Sequence, residues 1–465
     1  MAVPSGDIFF ATISELGARL RAKEFSIVEL TQAFLGRLEK DGPAHNALAH
    51  SLRKRALDRA KDADGDFKRG RIRGPLHGIP YGAKDLLAVQ GGATEWGSRA
   101  FAGQKFDRDA AVIQRLDRAG AILIGKLAMI ELAGGVGYRT AAASATGATQ
   151  NPWDRARWAG GSSSGSAAAV AGGMTAFALG SETSGSIVTP AAFCGVTGLR
   201  PTYGLVSRRG AMALGWSLDK VGPLGRSAED CALVLHTISG ADAEDSGSAR
   251  RAFRYVPQFD RPVSEFTAGF VPAHFDAVEP SAKPAFTAAL DAFKGLKVQL
   301  KEIKLPDFPY GALMDNILGA EAASAFQDLI ESNRIDQMAD QNQAAGLKAA
   351  LEIRAVDYLR AQRIRSQVRG AFRDLLGGVD LILAPTRSTI APRISEGLAG
   401  GGTAETLIPA SNLAGLPAIS LPCGLVTGMP VAISLVARPF YENQMLALAV
   451  AYQKTTDWHR RKPGA

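Results

Sequence analysis

Serine residues in a small-residue tract are the first candidates for chemistry in this chain. Residues 158–170 are rich in Gly and Ser, and a second turn of small residues follows at 180–187. Small residues beside apolar segments let the backbone pack tightly around a reacting group. A serine hydroxyl becomes a good nucleophile when a neighbouring base removes its proton. The pattern therefore indicates a serine hydrolase, and three arrangements of its site can be built from the sequence.

The first arrangement is a nucleophile elbow centred on Ser163. Residues 161–165 read Gly-Ser-Ser-Ser-Gly, which matches the G-x-S-x-G motif. That motif needs an apolar strand before the serine, whereas a loop rich in Trp, Arg and Gly precedes this one. His77 is the rival base for such a site, because histidine is the commonest general base. None of the six histidines lies beside the serine tract in sequence, so the elbow is weakly supported.

The second arrangement is a Ser-x-x-Lys pair formed by Ser217 and Lys220. Residues 454–456, Lys-Thr-Thr, loosely match the K-T-G element that accompanies such pairs, but the chain has no Ser-Asp-Asn element. The same short pattern occurs again at Ser51 and Lys54, which shows how easily it arises. This pair is therefore also a weak candidate.

The third arrangement joins three distant segments of the chain. They are residues 78–85, the tract that contains Ser162, and the turn that contains Ser186. The runs 160–170 and 185–204 closely resemble the amidase signature family of serine hydrolases. Shorter pieces agree with that family in the same order, at residues 125–126, 151–153, 217–224 and 412–419. The resemblance is strong over residues 60–240, weaker at both ends and slight in the middle.

The resemblance implies a catalytic Ser–cis-Ser–Lys triad. Lys84 matches the family's base, Ser186 its nucleophile, and Ser162 the bridging serine that follows a cis peptide bond. Successive backbone N–H groups of the turn can hold the oxyanion of a tetrahedral intermediate. These donors are the N–H groups of Thr183, Ser184, Gly185 and Ser186, and the candidate substrate-pocket residues are Met129, Gly134 and Tyr138.

Two positions near the nucleophile depart from the family pattern. Ser184 stands where glycine is usual, and Glu182 stands where aspartate is frequent. Both changes leave the three triad positions intact. Asp85 and Arg200 are expected to hold loops rather than to act on the substrate.

Lys84 can serve as a base only in its neutral form. Burial disfavours the charged ammonium and so lowers the pKa of a lysine. The residues around Lys84 are apolar or small, which makes burial credible; they are Ile79, Pro80, Ala83, Leu86 and Leu87.

Strand and helix signals alternate along the chain. Capping boxes at Thr12–Glu15 and Ser26–Glu29 begin two helices, and Ser227–Asp230 begins another. Residues 46–64 are typical of a helix, and residues 310–376 are mostly helical in pattern. Strands are predicted at 121–125, 175–179, 267–271, 298–303, 380–384, 418–422 and 431–436.

This alternation predicts an α/β layered domain with a central, partly parallel sheet. The resemblance implies the amidase signature fold, in which a mixed, largely parallel, twisted sheet is covered by helices on both faces. We expect one domain over residues 1–465, with an N-terminal helical segment at about 1–65 and a variable helical region at about 275–376.

Composition restricts the class of protein further. The 465 residues are 46% hydrophobic and 21% charged, as in an ordinary globular protein with a large core. The net charge of +8 comes from scattered Lys and Arg, so no specific nucleic-acid site is expected. Three cysteines are too few for a disulfide framework or a zinc cluster. Without a signal-peptide pattern or a long apolar stretch, the chain is predicted to be cytoplasmic and free of membrane segments.

The predicted function is hydrolysis of the C–N bond of a small-molecule amide through an acyl-enzyme on Ser186. No metal or organic cofactor is expected, and the enzyme is expected to be a monomer or homodimer. Carbamates and esters pass through similar intermediates, so a urethanase-like carbamate hydrolase is one alternative. Another is the glutamine-hydrolysing subunit of a tRNA-dependent amidotransferase, which belongs to the same family and works with partner chains. A non-enzymatic scaffold is the third, and the intact triad argues against it.

Overall fold

An eleven-stranded β-sheet lies at the centre of the computed structural model, which describes residues 7–398 and 406–464. Across the sheet the strands follow the order β1-β3-β2-β4-β6-β5-β10-β11-β9-β7-β8. In chain order they are β1 (Leu48–Ser51), β2 (Pro80–Lys84), β3 (Ile122–Leu127), β4 (Phe177–Glu182), β5 (Thr197–Arg200), β6 (Lys220–Gly225), β7 (Thr267–Phe270), β8 (Gln299–Glu302), β9 (Leu381–Pro385), β10 (Ala418–Val426) and β11 (Met429–Ala437).

Parallel pairing occupies two blocks of this sheet, β3–β2–β4 and β9–β7–β8. Antiparallel pairs through β6, β5, β10 and β11 join the two blocks, and β1 pairs antiparallel with β3 at one edge. Thr427 and Gly428, between β10 and β11, both have positive φ angles of 49° and 79°, as in a type I′ hairpin turn. The predicted α/β fold with a mixed sheet is confirmed.

Helices pack against most strands of this sheet. They are α1 (Ile13–Arg21), α2 (Ile27–Ala44), α3 (Arg53–Lys68), α4 (Ala111–Arg118), α5 (Ser164–Ala171), α6 (Val188–Cys194), α7 (Ala228–Ile238), α8 (Pro272–Asp276), α9 (Lys283–Gly295), α10 (Tyr310–Ala325), α11 (Gln327–Glu331), α12 (Gln341–Ala350), α13 (Ala355–Leu375), α14 (Leu407–Leu413) and α15 (Glu442–Thr455). The mainly helical stretch predicted at 310–376 corresponds to α10–α13. In the described part of the chain, no helix combines the length and apolar character needed to cross a membrane.

The three predicted capping boxes are present. Thr12, Ser26 and Ser227 each accept a hydrogen bond from the third helical residue, whose carboxylate accepts one from the backbone N–H of the cap. In α2 the apolar stripe that follows the cap is buried, because its members fall on one face of the helix; they are Ile27, Leu30, Phe34 and Leu38. Local sequence signals thus begin these helices correctly.

The helix predicted at 46–64 is wrong in its first part. Residues 48–51 form β1, and α3 begins only at Arg53. β1 pairs with β3, where Ser51 lies opposite Gly125. This contact is distant in sequence, so a local helical pattern cannot reveal it.

Candidate active site

Lys84 is the last residue of β2, which lies between β3 and β4 in a parallel block of the sheet. Its side chain is buried. The carboxyl ends of parallel strands meet at one edge of a sheet, and ligands commonly bind there. The turn that follows β4 therefore comes to the same edge as Lys84.

The Nζ atom of Lys84 has three oxygen neighbours. It lies 2.7 Å from Ser162 Oγ, 3.0 Å from Ser181 Oγ and 3.5 Å from the carbonyl oxygen of Ser181. A neutral amine has two N–H donors and one lone pair. When the two donors face the oxygens of Ser181, the lone pair is left for the hydroxyl of Ser162. The arrangement thus suits removal of a proton from Ser162.

The environment of Lys84 favours this neutral form. Burial lowers the pKa of Lys84 to about 7, although the more distant carboxylates of Asp219 and Glu182 oppose the shift. Within the described residues, no carboxylate is hydrogen-bonded to Nζ. A large fraction of Lys84 is therefore neutral at neutral pH, as a general base requires.

Ser162 is held by tightly packed backbone. The peptide bond between Gly161 and Ser162 is cis, and the Ser162 carbonyl accepts a hydrogen bond from the N–H of Ile130 at 3.1 Å. Gly160 has a φ angle of 86°, and a Cβ atom there would lie 2.7 Å from the Cα atom of Pro190 in α6. Only glycine fits such a contact, which explains why small residues are concentrated in this tract.

Ser186 lies in the turn between β4 and α6 and is half-buried. The carboxylate of Glu182, at the end of β4, spans this turn. Its Oε2 atom accepts hydrogen bonds from the N–H groups of Ile187 at 2.9 Å and Val188 at 3.1 Å. Glu182 thereby fixes the backbone that carries Ser186.

Glu182 is itself held in its charged form. Its Oε1 atom accepts from Arg200 at 2.7 Å and from the side-chain amide of Asn412 at 2.9 Å. Burial alone would raise the pKa of Glu182, but Arg200, Lys220 and these hydrogen bonds lower it to about 2. The exchange of the family's frequent aspartate for glutamate therefore keeps an ionised group in this place.

The four predicted N–H groups of the turn remain candidates to bind an oxyanion. Within residues 7–398 and 406–464, the N–H groups of Thr183, Ser184, Gly185 and Ser186 donate to no protein acceptor. Gly185 has a φ angle of 87°, which favours glycine, and its carbonyl accepts from Thr189 N–H at 2.8 Å. The neighbouring Thr183 is fixed by a 2.6 Å hydrogen bond from its hydroxyl to Asp219.

Ser163, the centre of the elbow motif, is occupied by structural hydrogen bonds. Its hydroxyl donates to the carbonyl of Ser181 at 3.2 Å and accepts from the N–H of Ser181 at 3.3 Å. Its own N–H donates to the carbonyl of Ser186 at 3.2 Å. Ser163 thus connects the tract to β4 and to the turn that contains Ser186.

His77, the rival base, is occupied elsewhere. Its Nδ1 atom accepts from the N–H of Arg73 at 2.9 Å, and its Nε2 atom lies 3.1 Å from the carbonyl oxygen of Ala63. Both ring nitrogens therefore bond to backbone between α3 and β2, and His77 does not serve the elbow as its base.

The Ser-x-x-Lys pair is not brought together either. The hydroxyl of Ser217 donates to Glu321 at 2.6 Å and accepts from Arg365 at 2.6 Å. The Nζ atom of Lys220 donates to the side-chain oxygen of Asn412 at 2.7 Å. No hydrogen bond joins Ser217 to Lys220 in the described part of the chain. Of the three arrangements, the third is the one that places a lysine beside a serine hydroxyl.

Comparison with known proteins places the chain in a family. A family model described as Amidase matches residues 29–446. The chain belongs to the amidase signature family. It is therefore an enzyme, a hydrolase of carbon–nitrogen bonds. One component of the glutamyl-tRNA(Gln) amidotransferase of Dechloromonas aromatica (strain RCB) is 36% identical over 483 residues, covering 98% of this chain and 99% of that protein.

Two solved structures show the same likeness along the whole chain of this amidase. One comes from a vestigial protein complex that reveals the evolutionary origins of an s-triazine catabolic enzyme; it is 30% identical with a TM-score of 0.88, covering 96% of this chain and 99% of that one. The other is the peptide amidase of Stenotrophomonas maltophilia, 31% identical with a TM-score of 0.82, covering 96% of this chain and 97% of that one.

The amidase has a cavity of about 400 Å³ beside its candidate site, here called the catalytic cavity. Lys84, Ser162 and Ser186 are not among its lining residues, and Ser181, a hydrogen-bond partner of Lys84, connects the cavity to them. Ser181 and Thr183 line it at the end of β4, and much of the remaining wall comes from residues 208–216. This segment lies between β5 and β6 and supplies apolar side chains, including Met212, Leu214 and Trp216. Sequence reasoning missed these residues, because nothing local marks them as facing Ser181.

The three predicted pocket residues do not line the catalytic cavity. Met129 is fully buried in the core. Tyr138 packs edge-on against Trp158, with ring centroids 5.9 Å apart, and a Cβ atom on Gly161 would lie 2.8 Å from its hydroxyl. Tyr138 thus contacts the tract beside Ser162, while Gly134 lies close to the Tyr138 ring. A role for them in substrate binding stays a prediction.

Asp85 and Arg200 hold neighbouring segments in place, as expected. Asp85 accepts hydrogen bonds from Lys126 at 2.9 Å and from the N–H of Glu95 at 3.0 Å. Arg200 donates to Glu182 and to the carbonyl of Leu416 at 2.9 Å. Both side chains are buried and engaged by protein groups.

Proposed function

We propose that this amidase cleaves a carboxamide by forming an acyl-enzyme on Ser186, with Lys84 as the base and Ser162 as the proton relay. The observation that carries the proposal is the 2.7 Å contact between Lys84 Nζ and Ser162 Oγ, made by a lysine whose pKa burial lowers to about 7. A neutral lysine beside a serine hydroxyl is the activated pair that such chemistry needs.

The proposed reaction has two half-steps. Lys84 takes the proton of Ser162 while Ser162 takes that of Ser186, and Ser186 Oγ bonds to the carbonyl carbon. The resulting oxyanion is held by the N–H groups at 184–186, where one such donor contributes about 3 kcal/mol to transition-state stabilisation. The relay then returns the proton to the leaving nitrogen as the C–N bond breaks. Water then attacks the acyl-enzyme ester on Ser186. The same relay takes a proton from this water and returns one to Ser186 Oγ, and the carboxylic acid is released.

Covalent labelling tests this assignment. A fluorophosphonate probe is expected to add one adduct per chain, and peptide mapping is expected to place it on Ser186. The Ser186→Ala variant should take up no probe, whereas the Ser163→Ala variant should still be labelled. An adduct on Ser163 in the wild-type enzyme would contradict the proposal.

Glutamine is the substrate that the sequence relatives favour. The 36% identity with a component of a glutamyl-tRNA(Gln) amidotransferase extends over nearly the full length of both chains. In this role the chain would hydrolyse glutamine within an assembly and pass on the ammonia. A cation would have to receive the glutamine carboxylate. Arg108 lines the catalytic cavity, and its ion pair with Glu244 is long, 3.4 Å, and exposed on both sides.

A free-standing amidase that acts in the cytoplasm on a small-molecule amide is the second candidate. It is favoured by the likeness to the peptide amidase and by the apolar wall of the catalytic cavity. Carbamates pass through a similar intermediate and belong to this candidate too.

Ammonia release from the purified chain discriminates between the two candidates. A free-standing amidase should turn over a C-terminal peptide amide rapidly without any partner and leave glutamine untouched. A glutamine-hydrolysing subunit should show weak activity toward glutamine alone, and the Arg108→Ala variant should raise its KM for glutamine with little change toward uncharged amides.

A further inference from the structure

A second cavity adjoins the catalytic cavity and has no part in the reaction described above. It has a volume of about 410 Å³ and is here called the side cavity. Ala213 and Trp216 line both cavities, so the two lie side by side with the indole at their junction. Each alone has the size of an ordinary ligand site, and the reacting amide needs only the first.

The wall of the side cavity consists mainly of small and apolar groups. Ala320 and Ala325 of α10 form one side, and Ile353 and Ala355 lie where α12 gives way to α13. Short side chains at these places leave the space open. A methyl-lined cavity of this kind suits an apolar group, because burying apolar surface is favourable by roughly 25 cal/mol per Å².

The Glu321 carboxylate in the wall of the side cavity is already satisfied by the protein. It accepts hydrogen bonds from the N–H of Ser217 at 2.8 Å, from the Ser217 hydroxyl at 2.6 Å and from the Tyr358 hydroxyl at 2.9 Å. Gln362 adds a fourth donor at 3.3 Å. These bonds leave Glu321 little capacity to accept a hydrogen bond from a ligand. The ligand of the side cavity therefore needs no cationic group to pair with Glu321.

Trp216 is exposed and yet fixed in position. Its side chain is 59% exposed, unusual for a residue with so much apolar surface. Its carbonyl accepts hydrogen bonds from Tyr203 and Arg208, and the Arg208 guanidinium lies 5.6 Å from the centre of its ring. An aromatic surface held open in this way is preorganised to contact a ligand that passes between the cavities.

We propose that the substrate carries an apolar arm, an alkyl chain or an aromatic ring, that extends from the scissile amide past Trp216 into the side cavity. The proposal rests on the proposed function for the position of the amide and names the class of substrate. The enzyme then prefers long or bulky apolar amides to short ones, and Trp216 and Ala320 set that preference.

Two substrate series test the proposal on the purified enzyme. In one the acyl group of a p-nitroanilide grows from acetyl to octanoyl, and in the other the amine of an N-alkyl acetamide grows in the same way. Burial of about 0.8 kcal/mol per methylene predicts a rise in kcat/KM on the order of 100-fold over four carbons in one of the series. A flat length dependence in both series, with the acetyl compounds or glutamine hydrolysed, overturns the proposal and leaves the proposed function standing.

Matched variants place the effect in the side cavity. Ala320→Phe places a ring inside it and narrows it, and we expect the octanoyl-to-acetyl ratio of kcat/KM to fall at least tenfold. Trp216→Ala should lower the same ratio by removing the aromatic contact. Ala312→Phe adds the same ring on an exposed face of α10 and should leave the ratio at its wild-type value. If the amine series carries the preference, the ratio of its octyl to its methyl member is the one that should fall, and ratios unchanged in both series in Ala320→Phe contradict the proposal.

Binding provides a readout that does not require turnover. The Ser186→Ala enzyme should bind octanamide at least tenfold more tightly than acetamide by calorimetry, and Ala320→Phe added to it should abolish the difference. If the wild-type enzyme hydrolyses nothing but this difference is present, the apolar site stands and the proposed reaction fails. N-octylacetamide is measured alongside, because the arm can lie on the amine side; if neither octanamide nor N-octylacetamide binds more tightly than acetamide, the apolar site fails whatever the reaction is.

Discussion

Two buried lysines on neighbouring strands of the sheet have opposite surroundings. Lys84 ends β2, and Lys126 lies one residue before the end of β3. Ala83 pairs with Lys126 in the parallel register, so the side chains of Ala83 and Lys126 share a face. Side chains alternate along a strand, and Lys84 therefore points to the opposite face. Its contacts are hydroxyl and carbonyl oxygens, whereas Lys126 meets the carboxylate of Asp85 at 2.9 Å.

The difference explains why one lysine suits catalysis and the other holds the fold. Burial lowers the pKa of both groups, but at Lys126 the attraction and hydrogen bond of Asp85 act directly against that shift. Lys126 also donates to Thr94 at 2.7 Å, which adds to its bonding. Although Asp85 follows Lys84 in sequence, its carboxylate pairs with Lys126. Because its own hydrogen-bond partners are uncharged oxygens, Lys84 can be neutral.

Removal of the proposed nucleophile or the proposed base should have the largest effect. Ser186→Ala and Lys84→Met are expected to lower kcat/KM by a factor on the order of 10⁴ or more, because nucleophile and base act as one unit. Steady-state assays with the best amide measure this loss. Circular dichroism and thermal melting provide the control, since both variants should stay folded. Residual activity above about one per cent in Lys84→Met would show that another group is the base.

Lys126→Met should instead destabilise the fold. It leaves the buried carboxylate of Asp85 without its cation, which typically costs about 3–5 kcal/mol of unfolding free energy. Denaturant titration measures this loss. Activity per folded molecule should change much less than in Lys84→Met.

A second variant separates charge from packing at the same place. Asp85→Asn combined with Lys126→Met removes both charges, so the double variant should regain part of the lost stability. If Lys126→Met unfolds like the wild type but loses turnover as completely as Lys84→Met, the contrast between the two lysines is wrong.

The pH dependence of kcat/KM should report the ionisation of Lys84, the lysine whose Nζ has no carboxylate hydrogen-bonded to it within the described residues. The base must be neutral, and the pKa of Lys84 is about 7. At pH values below that pKa, the neutral fraction of Lys84 falls about tenfold for each pH unit. We expect kcat/KM to rise with pH and level off above about pH 8, with a loss of roughly 100-fold at about pH 5. Circular dichroism at each pH must show the folded state. A rate that stays flat down to about pH 5 would falsify Lys84 as the base.

Local sequence signals predicted the features whose residues lie close together in sequence. The capping boxes that begin α1, α2 and α7 could be predicted because all their partners fall within three residues. Lys84, Ser162 and Ser186 could be named as candidates because each lies in a short run with its own motif. The 2.7 Å contact between Lys84 and Ser162 joins residues 78 positions apart, and no rule based on short sequence spacing predicts it.

The cavities could not be predicted in the same way. Their walls combine residues 208–216 with α10 and the start of α13, and the shared Trp216 has no motif. Met129, Gly134 and Tyr138 were chosen because they follow Lys126 in sequence; of that stretch Ala133 lines the catalytic cavity, and a role for the three chosen residues stays a prediction. β1 was missed for a related reason, since its strand exists only through pairing with β3. Sequence patterns name the candidate reacting groups, and tertiary contacts decide what surrounds them.

The smallest expected effect concerns Ser163, the most conspicuous serine of the tract. Ser163 shares Ser181 with Lys84, because its hydroxyl bonds to the Ser181 backbone while Lys84 Nζ bonds to the Ser181 side chain. Ser163→Ala removes those two bonds and should cost about 1–2 kcal/mol of unfolding free energy. Since Lys84 and Ser186 remain in place, kcat/KM should fall by no more than about threefold, within ~1 kcal/mol. Denaturant unfolding and steady-state assays on the same preparation measure both values. A stable but inactive Ser163→Ala enzyme would instead indicate that Ser163, at the centre of the elbow motif, is the nucleophile.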